Sequence, residues 1–165
     1  MSISNELSIV IEGHEMIHLP LPYNIHLLLG DSGKGKTYIC KIIDNQREYG
    51  GKVGTTIPLD DILIWSKVSD VDTTARGKLI IVDRYAYVRR HKPEVIEFIR
   101  NTSDSNKFIL ISNRLQKDGF EIPSQAVYEI VYDEERECFT VSNYFRNQDY
   151  TVIKSIKSID ELFNT

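Results

Sequence analysis

The chain has 165 residues, of which 41% are hydrophobic and 27% are charged, and its formal net charge is −4. This balance is typical of one soluble globular domain, and its mild acidic excess gives no overall attraction for nucleic acid or anionic membranes. No apolar run approaches the ~20 residues of a membrane span, and we expect no signal peptide, so the composition favours a cytoplasmic protein without a membrane partner. The two cysteines and four histidines have no metal-ligand spacing, which argues against a zinc site.

The first half of the chain predicts strands and one helix. The stretch LSIVIEGHEMIHL (7–19) predicts two short strands in a hairpin, and IHLLL (25–29) predicts a strand buried on both faces. KTYICKIIDNQREY (36–49) predicts a helix that ends at two glycines. KVGTTI (52–57) predicts a short strand, and DDILIWSKV (60–68) is compatible with either a helix or an extended segment.

The second half repeats the alternation. KLIIVD (78–83) and KFILIS (107–112) predict two further buried strands, and KPEVIEFIRNT (92–102) between them predicts a helix with proline in its first turn. AVYEIVYDEERECFTVSNYF (126–145) predicts a hairpin around a charged turn, followed by a short tail (158–165) with one or two helical turns.

Buried strands that alternate with helices require crossover connections. We therefore predict an α/β fold with a mostly parallel central sheet, helices on both faces, and β-hairpin additions at both ends of the chain. The predicted organisation is a single domain over 1–165, with an N-terminal hairpin (1–24), a core (25–126), and a C-terminal hairpin and tail (127–165). Ligands in such sheets bind beyond the carboxyl ends of the strands.

The stretch GDSGKGKT (30–37) stands at such a strand end and fits the pattern G-x-x-x-x-G-K-[ST]. Its glycines let successive backbone N–H groups face an anion, and the following helix adds its positive end. The lysine reaches the β- and γ-phosphates and the hydroxyl ligates Mg²⁺. The candidate nucleotide-binding residues are Gly30, Asp31, Ser32, Gly33, Lys34, Gly35, Lys36, Thr37 and Tyr38.

This stretch resembles the Walker A loop of P-loop NTPases, and KLIIVD resembles their Walker B strand, which ends in the acid Asp83. Asn113, after KFILIS, resembles the polar sensor residue of the branch with an extra strand between the two Walker strands. The resemblance implies a P-loop NTPase fold, ATP and Mg²⁺ as cofactors, and an ATPase (hydrolase) activity. It implies Thr37 and Asp83 as metal ligands and Lys36, Asp83 and Asn113 as catalytic residues. No N-K-x-D motif is present, which favours ATP over GTP.

One departure from this pattern concerns hydrolysis. Many ATPases of the branch carry a glutamate after the Walker B aspartate, whereas this chain has Arg84. Asp60 or Asp61 could supply the missing carboxylate if the strand over 52–57 neighbours Asp83. Otherwise a partner protein or a second copy of the chain completes the site, or the protein binds ATP without consuming it, as a regulatory or assembly subunit. The resemblance thus implies slow hydrolysis by the isolated chain.

The segment RYAYVRRHK (84–92) leaves two further alternatives open. Asp-Arg-Tyr at its start resembles the acceptor-phosphate motif of thymidylate kinase, which makes a nucleoside monophosphate kinase the alternative enzyme. Its arginines Arg84, Arg89 and Arg90 could act as arginine fingers toward a neighbouring subunit or as contacts to nucleic acid phosphates. A solvated loop is the simpler interpretation of the same residues.

Overall fold

The computed structural model of the chain describes residues 3–11, 14–30, 39–41, 43–44, 53–113, 118–120, 122–133, 138–144 and 149–153. The strands in these residues are β1 (Glu6–Ile11), β2 (His14–Pro20), β3 (Ile25–Leu29), β4 (Val53–Thr55), β5 (Ile62–Trp65), β6 (Leu79–Val82), β7 (Lys107–Ser112), β8 (Val127–Asp133), β9 (Cys138–Asn143) and β10 (Asp149–Ile153). The helices are α1 (Tyr85–His91) and α2 (Glu94–Thr102), and residues 39–41 and 43–44 are also helical. None of the helices in the described residues is long and apolar enough to cross a membrane.

The main sheet has seven described strands in the order β10-β9-β8-β3-β7-β6-β5. The five strands from β8 to β5 are parallel to one another, and β9 and β10 extend the sheet with antiparallel pairing. Every residue of β3, β6 and β7 is buried, which explains why these strands have continuous rather than alternating apolar sequences. The predicted α/β class is therefore confirmed.

Both α1 and α2 pack on one face of this sheet. Val95, Phe98, Ile99 and Thr102 form a buried stripe on α2 at helical spacing, because residues three and four apart share a side of a helix. Val95, Phe98 and Ile99 of this stripe join Val88 of α1 and alternate strand residues in one core cluster. The strand members of the cluster are Ile25, Leu27, Leu29, Trp65, Ile80, Val82, Phe108, Leu110 and Val127.

A second sheet, in the order β2-β1-β4, contains the N-terminal pair of strands. Its β1 and β2 are antiparallel, as the predicted hairpin requires. Lys107, at the start of β7, ties this part of the chain to the main sheet. Its buried ammonium donates hydrogen bonds to the Ser4 carbonyl (3.2 Å), to Asn5 Oδ1 (2.9 Å) and to the Leu21 carbonyl (2.5 Å).

The structure completes or changes the sequence-based expectations at several places. The strand predicted over 52–57 belongs to the second sheet, where β4 pairs with β1. The segment 60–68, which the sequence left open between helix and strand, contains β5, a strand at the end of the described main sheet that pairs with β6 and buries Ile62 and Trp65. Residues 85–91 form α1 instead of a solvated loop. Strand β10 was not predicted, and the tail over 158–165 lies outside the described residues.

Candidate functional site

The carboxyl ends of β3, β7 and β6 lie side by side at one edge of the main sheet. Leu29 of β3 pairs with Ser112 of β7, and Val82 of β6 pairs with Leu110 of β7. The residues that follow the three strands, Gly30, Asn113 and Asp83, therefore share this edge, which we call the carboxyl edge. Since neighbouring strands are about 4.8 Å apart, the ends of β3 and β6 are separated by about 10 Å.

The glycine-rich stretch starts at this edge, but the structure describes only its first residue. Gly30 follows β3 and is half-buried. The candidate nucleotide-binding residues from Asp31 to Tyr38, which include Lys36 and Thr37, lie outside the described residues. The chain is described again as helix from residue 39, where Ile39 and Cys40 are buried.

Asp83 lies near this returning helix. Burial raises the pKa of the Cys40 thiol, and the carboxylates of Asp83 and Asp44 raise it further. Asp83, which is half-buried, is therefore one of the charged groups that act on the segment following the glycine-rich stretch. Asn113 is exposed at the end of the neighbouring strand.

Arg84, directly after Asp83, has left-handed backbone angles of φ 59° and ψ 47°. It is the one non-glycine residue with positive φ in the described parts of the chain, and such a conformation costs about 1–2 kcal/mol for an L-residue. Arg84 is exposed, and its guanidinium carbon lies 4.5 Å from the ring centroid of Tyr87. The Arg84 side chain is thus held over a tyrosine on α1.

One side of α1 is fixed to the core by Asp118, whose side chain is only 2% exposed. The Tyr85 hydroxyl donates a hydrogen bond to Asp118 Oδ2 (2.5 Å), and Arg89 Nε donates to the same oxygen (2.8 Å). A second Arg89 nitrogen donates to Asp118 Oδ1, which completes a bidentate ion pair. Arg100 of α2 donates to the Asp118 carbonyl (3.0 Å).

This cluster shifts the titration of its members. Burial raises the pKa of the Tyr85 hydroxyl, and the hydrogen bond to the Asp118 carboxylate raises it further. The same carboxylate raises the pKa of Arg89 by accepting its hydrogen bonds. Arg89 is therefore engaged within the chain, and it would have to leave Asp118 to act as an arginine finger, which stays a prediction.

The other side of α1 faces solvent. Tyr87 is 41% exposed, and the His91 ring lies beside it with the centroids 4.3 Å apart. Arg90 and His91 are also exposed. Within the described residues, Arg84, Arg90 and His91 form no ion pair with a carboxylate. The basic segment 84–92 therefore divides into one inward arginine and an outward group without acidic partners.

Asp60 and Asp61 do not lie at the carboxyl edge. They precede β5, and Ile62 of β5 pairs with Leu79, the first residue of β6. Lys78 holds them there, because its ammonium contacts the Asp60 carbonyl (3.0 Å) and Asp61 Oδ1 (3.2 Å). Either acid could lie near the γ-phosphate only if the strand over 52–57 neighboured Asp83. This condition is not met, because β4 pairs with β1.

Two buried polar side chains escaped the sequence analysis, and one of them is His26 of β3. Its ring is fully buried, with Nδ1 3.2 Å from the Phe108 carbonyl and Nε2 accepting the Tyr23 N–H at 3.2 Å. A neutral ring with its proton on Nδ1 satisfies both contacts. Burial is the main reason that the pKa of His26 falls to about 4, and nearby Lys107 lowers it further. The sequence signal for this buried histidine is its position inside the apolar run IHLLL, which predicts a buried strand.

The other missed residue is Asp118, since nothing in the local sequence indicates that its carboxylate is buried against α1. In the described part of the chain, no three His, Cys, Asp or Glu side chains cluster to hold a metal ion. Comparisons of the chain with family models, with curated proteins and with solved structures found no match.

Proposed function

We propose that this protein binds Mg-ATP at the carboxyl edge of its main sheet and, as an isolated chain, hydrolyses it slowly. The observation that carries the proposal is the position of β7 between β3 and β6. This order brings Gly30, the first residue of the glycine-rich stretch, Asn113 after β7 and Asp83 after β6 to one edge. The P-loop NTPase fold, with a further helix over the opposite face of the sheet, belongs to the same proposal.

The strand order favours an ATPase over a kinase. A strand between those of Walker A and Walker B is the feature of the ATPase branch to which the sequence was compared, and β7 occupies that position. In the kinase alternative, Arg84 would grip an acceptor phosphate, yet its guanidinium is over Tyr87. We therefore keep the kinase only as an outcome of the experiment below.

The chemistry follows from the residue types at the edge. Mg²⁺ prefers oxygen ligands and keeps several waters, so one hydroxyl, from Thr37, and one carboxylate, from Asp83, are a sufficient protein contribution. Bound Mg²⁺ would neutralise charge on the β- and γ-phosphate oxygens. Lys36 would contact the same phosphates, and Asn113, exposed one strand away from Asp83, would orient the attacking water.

Slow hydrolysis follows from what the chain places next to Asp83. Arg84 stands where a glutamate would orient water, and Asp60 and Asp61 lie at the opposite ends of the strands. When a partner protein must supply a catalytic group, its absence lowers the hydrolysis rate by a factor on the order of 10³–10⁵, as is known for arginine fingers. A partner protein or a second copy of the chain would then complete the site.

Calorimetric titration with Mg-ATP tests binding. Lys36→Ala is expected to weaken binding at least about tenfold, or 1.4 kcal/mol, because it removes the mobile cation from the phosphates. Lys67→Ala, at an exposed lysine after β5, is the matched control and should leave the affinity unchanged. Equal ATP affinity in the wild type and Lys36→Ala would refute the binding site.

Steady-state phosphate release separates the remaining functions. We expect slow release by the purified chain, whereas turnover of tens per second would show that Arg84 is no obstacle. Binding without any release would indicate a regulatory subunit. ATP consumption that requires a nucleoside monophosphate, and yields its diphosphate, would indicate the kinase.

A further inference from the structure

We propose that the outward side of α1 is a binding surface for single-stranded nucleic acid. The surface consists of Arg84, Tyr87, Arg90 and His91, which we call the α1 strip. The proposal goes beyond ATP binding and does not depend on it, because the strip is built from residues that the structure describes without any nucleotide.

Helical geometry brings the strip together. Tyr87 is followed by Arg90 and His91 at positions three and four residues later, which are neighbours on a helix surface. Arg84 precedes the first turn, and its left-handed backbone turns the chain sharply from β6 into α1. The Tyr87 and Val88 N–H groups both donate to the Arg84 carbonyl (3.0 Å), which fixes this turn. The strain at Arg84 is consistent with a residue held for binding.

The charges of the strip are available to a partner. Arg89, which is adjacent to Arg90 in the sequence, is neutralised by the buried Asp118. In contrast, Arg84, Arg90 and His91 have no carboxylate partner among the described residues. A protein with net charge −4 therefore has two arginines, Arg84 and Arg90, on one side of α1 without a carboxylate partner in the described part of the chain. Like charges so close together repel one another, and bound phosphates would offset that repulsion.

The aromatic member indicates what kind of phosphate partner fits. Tyr87 is one of two large hydrophobic residues that are exposed in the described parts of the chain, and the Arg84 guanidinium and the His91 ring lie against it. Flat π-surfaces flanked by cations are how proteins bind unpaired bases and their backbone. A duplex keeps its bases stacked on one another, and a neighbouring subunit's triphosphate needs only the cations. The exposed ring therefore favours a single strand.

Fluorescence anisotropy with a labelled oligothymidylate, measured without ATP, tests the proposal. The wild type is expected to bind, with a log–log plot of affinity against salt that falls linearly. Arg90→Gln should lower the magnitude of that slope by about 0.7, the value for one single-strand phosphate contact. Arg76→Gln is the matched control, since Arg76 is an exposed arginine before the amino end of β6.

Tyr87 gives a second signature that charge alone would not produce. Tyr87→Ala should weaken binding about 5- to 100-fold, the effect of losing one stacked base, and leave the salt slope unchanged. Tyr87→Phe keeps the ring and should bind within about threefold of the wild type. Circular dichroism of each variant checks that α1 and the fold persist.

Other results would overturn the proposal. Absence of binding in 50 mM salt at about 100 μM protein would do so, because even non-specific binding is commonly tighter than this. Equal salt slopes for the wild type and Arg90→Gln, or equal oligonucleotide affinities for the wild type and Tyr87→Ala, would show that the oligonucleotide binds a different surface. If Arg90→Gln lowers only ATP hydrolysis, and only at protein concentrations where copies associate, the strip serves a neighbouring subunit instead. If Lys36→Ala does not weaken ATP binding, the proposed ATP site is wrong, but the proposal for the α1 strip is unaffected.

Discussion

Acidification is expected to destabilise the protein through His26. The ring is buried between β3 and β7, where it bridges the Phe108 carbonyl and the Tyr23 N–H as a neutral group. Protonation would place a charge in the core, close to the ammonium of Lys107, and would remove the acceptor of the Tyr23 N–H. The unfolded chain has neither restriction, so it takes up the proton at a higher pH.

The size of the effect follows from the two pKa values. The pKa of His26 is about 4 in the folded protein, against 6.5 for an ordinary histidine. The native state therefore binds fewer protons between these values, and stability falls as the pH falls through this window, by about 1.36 kcal/mol per pH unit. The loss is about 3 kcal/mol at pH 4, where His26 in the folded protein is half protonated, and it approaches about 3.4 kcal/mol only about one pH unit lower.

Urea denaturation at pH 7.5, 6.5, 5.5 and 4.5 measures this loss. His26→Gln is the informative variant, because it removes the titrating group while keeping an amide that can hydrogen-bond. It should start less stable at pH 7.5 and lose less stability than the wild type on acidification. His91→Gln, at an exposed histidine, controls for the loss of any imidazole. Parallel pH profiles for the wild type and His26→Gln would refute the reasoning.

Three further predictions concern other parts of the structure, and urea denaturation of the named variants tests each of them. Gly119→Ala should destabilise by slightly more than Gly77→Ala. Both glycines have positive φ, and a Cβ at Gly119 would lie 2.9 Å from the end of the flexible Arg100 side chain, which would have to move away from the Asp118 carbonyl that accepts its hydrogen bond. Equal losses would show that Arg100 moves without a measurable cost. Arg84→Gly should stay within about 1 kcal/mol of the wild type and Arg84→Val should lose more than that, because glycine adopts the left-handed backbone without steric cost and β-branched valine does not. Equal stability of the two variants would argue against strain. Lys107→Met should cost roughly 1–3 kcal/mol, because it leaves buried carbonyl acceptors unpaired, and an unchanged midpoint would show that these bonds contribute nothing.

The sequence by itself determined the buried strands, the helix α2 and the α/β class. The apolar runs that became β3, β6 and β7 are long enough to show a strand buried on both faces, and the stripe of α2 repeats at helical spacing. These are local patterns, and a local pattern needs no knowledge of its neighbours. The motif residues from Gly30 to Thr37 also come from local spacing, and their role stays a prediction.

Only the tertiary structure decided which elements are neighbours. The order of β3, β7 and β6 is set by crossover connections, and no local pattern encodes it. The same holds for β5, whose sequence fits a helix or a strand until β6 is placed beside it. The two arginines of α1 show the point most clearly: Arg89 and Arg90 are adjacent in sequence, but Asp118, which is 29 residues from Arg89 along the chain, holds one inward and leaves the other exposed. Long-range contacts of this kind assign opposite roles to identical residues, because burial and charge pairing depend on the whole fold.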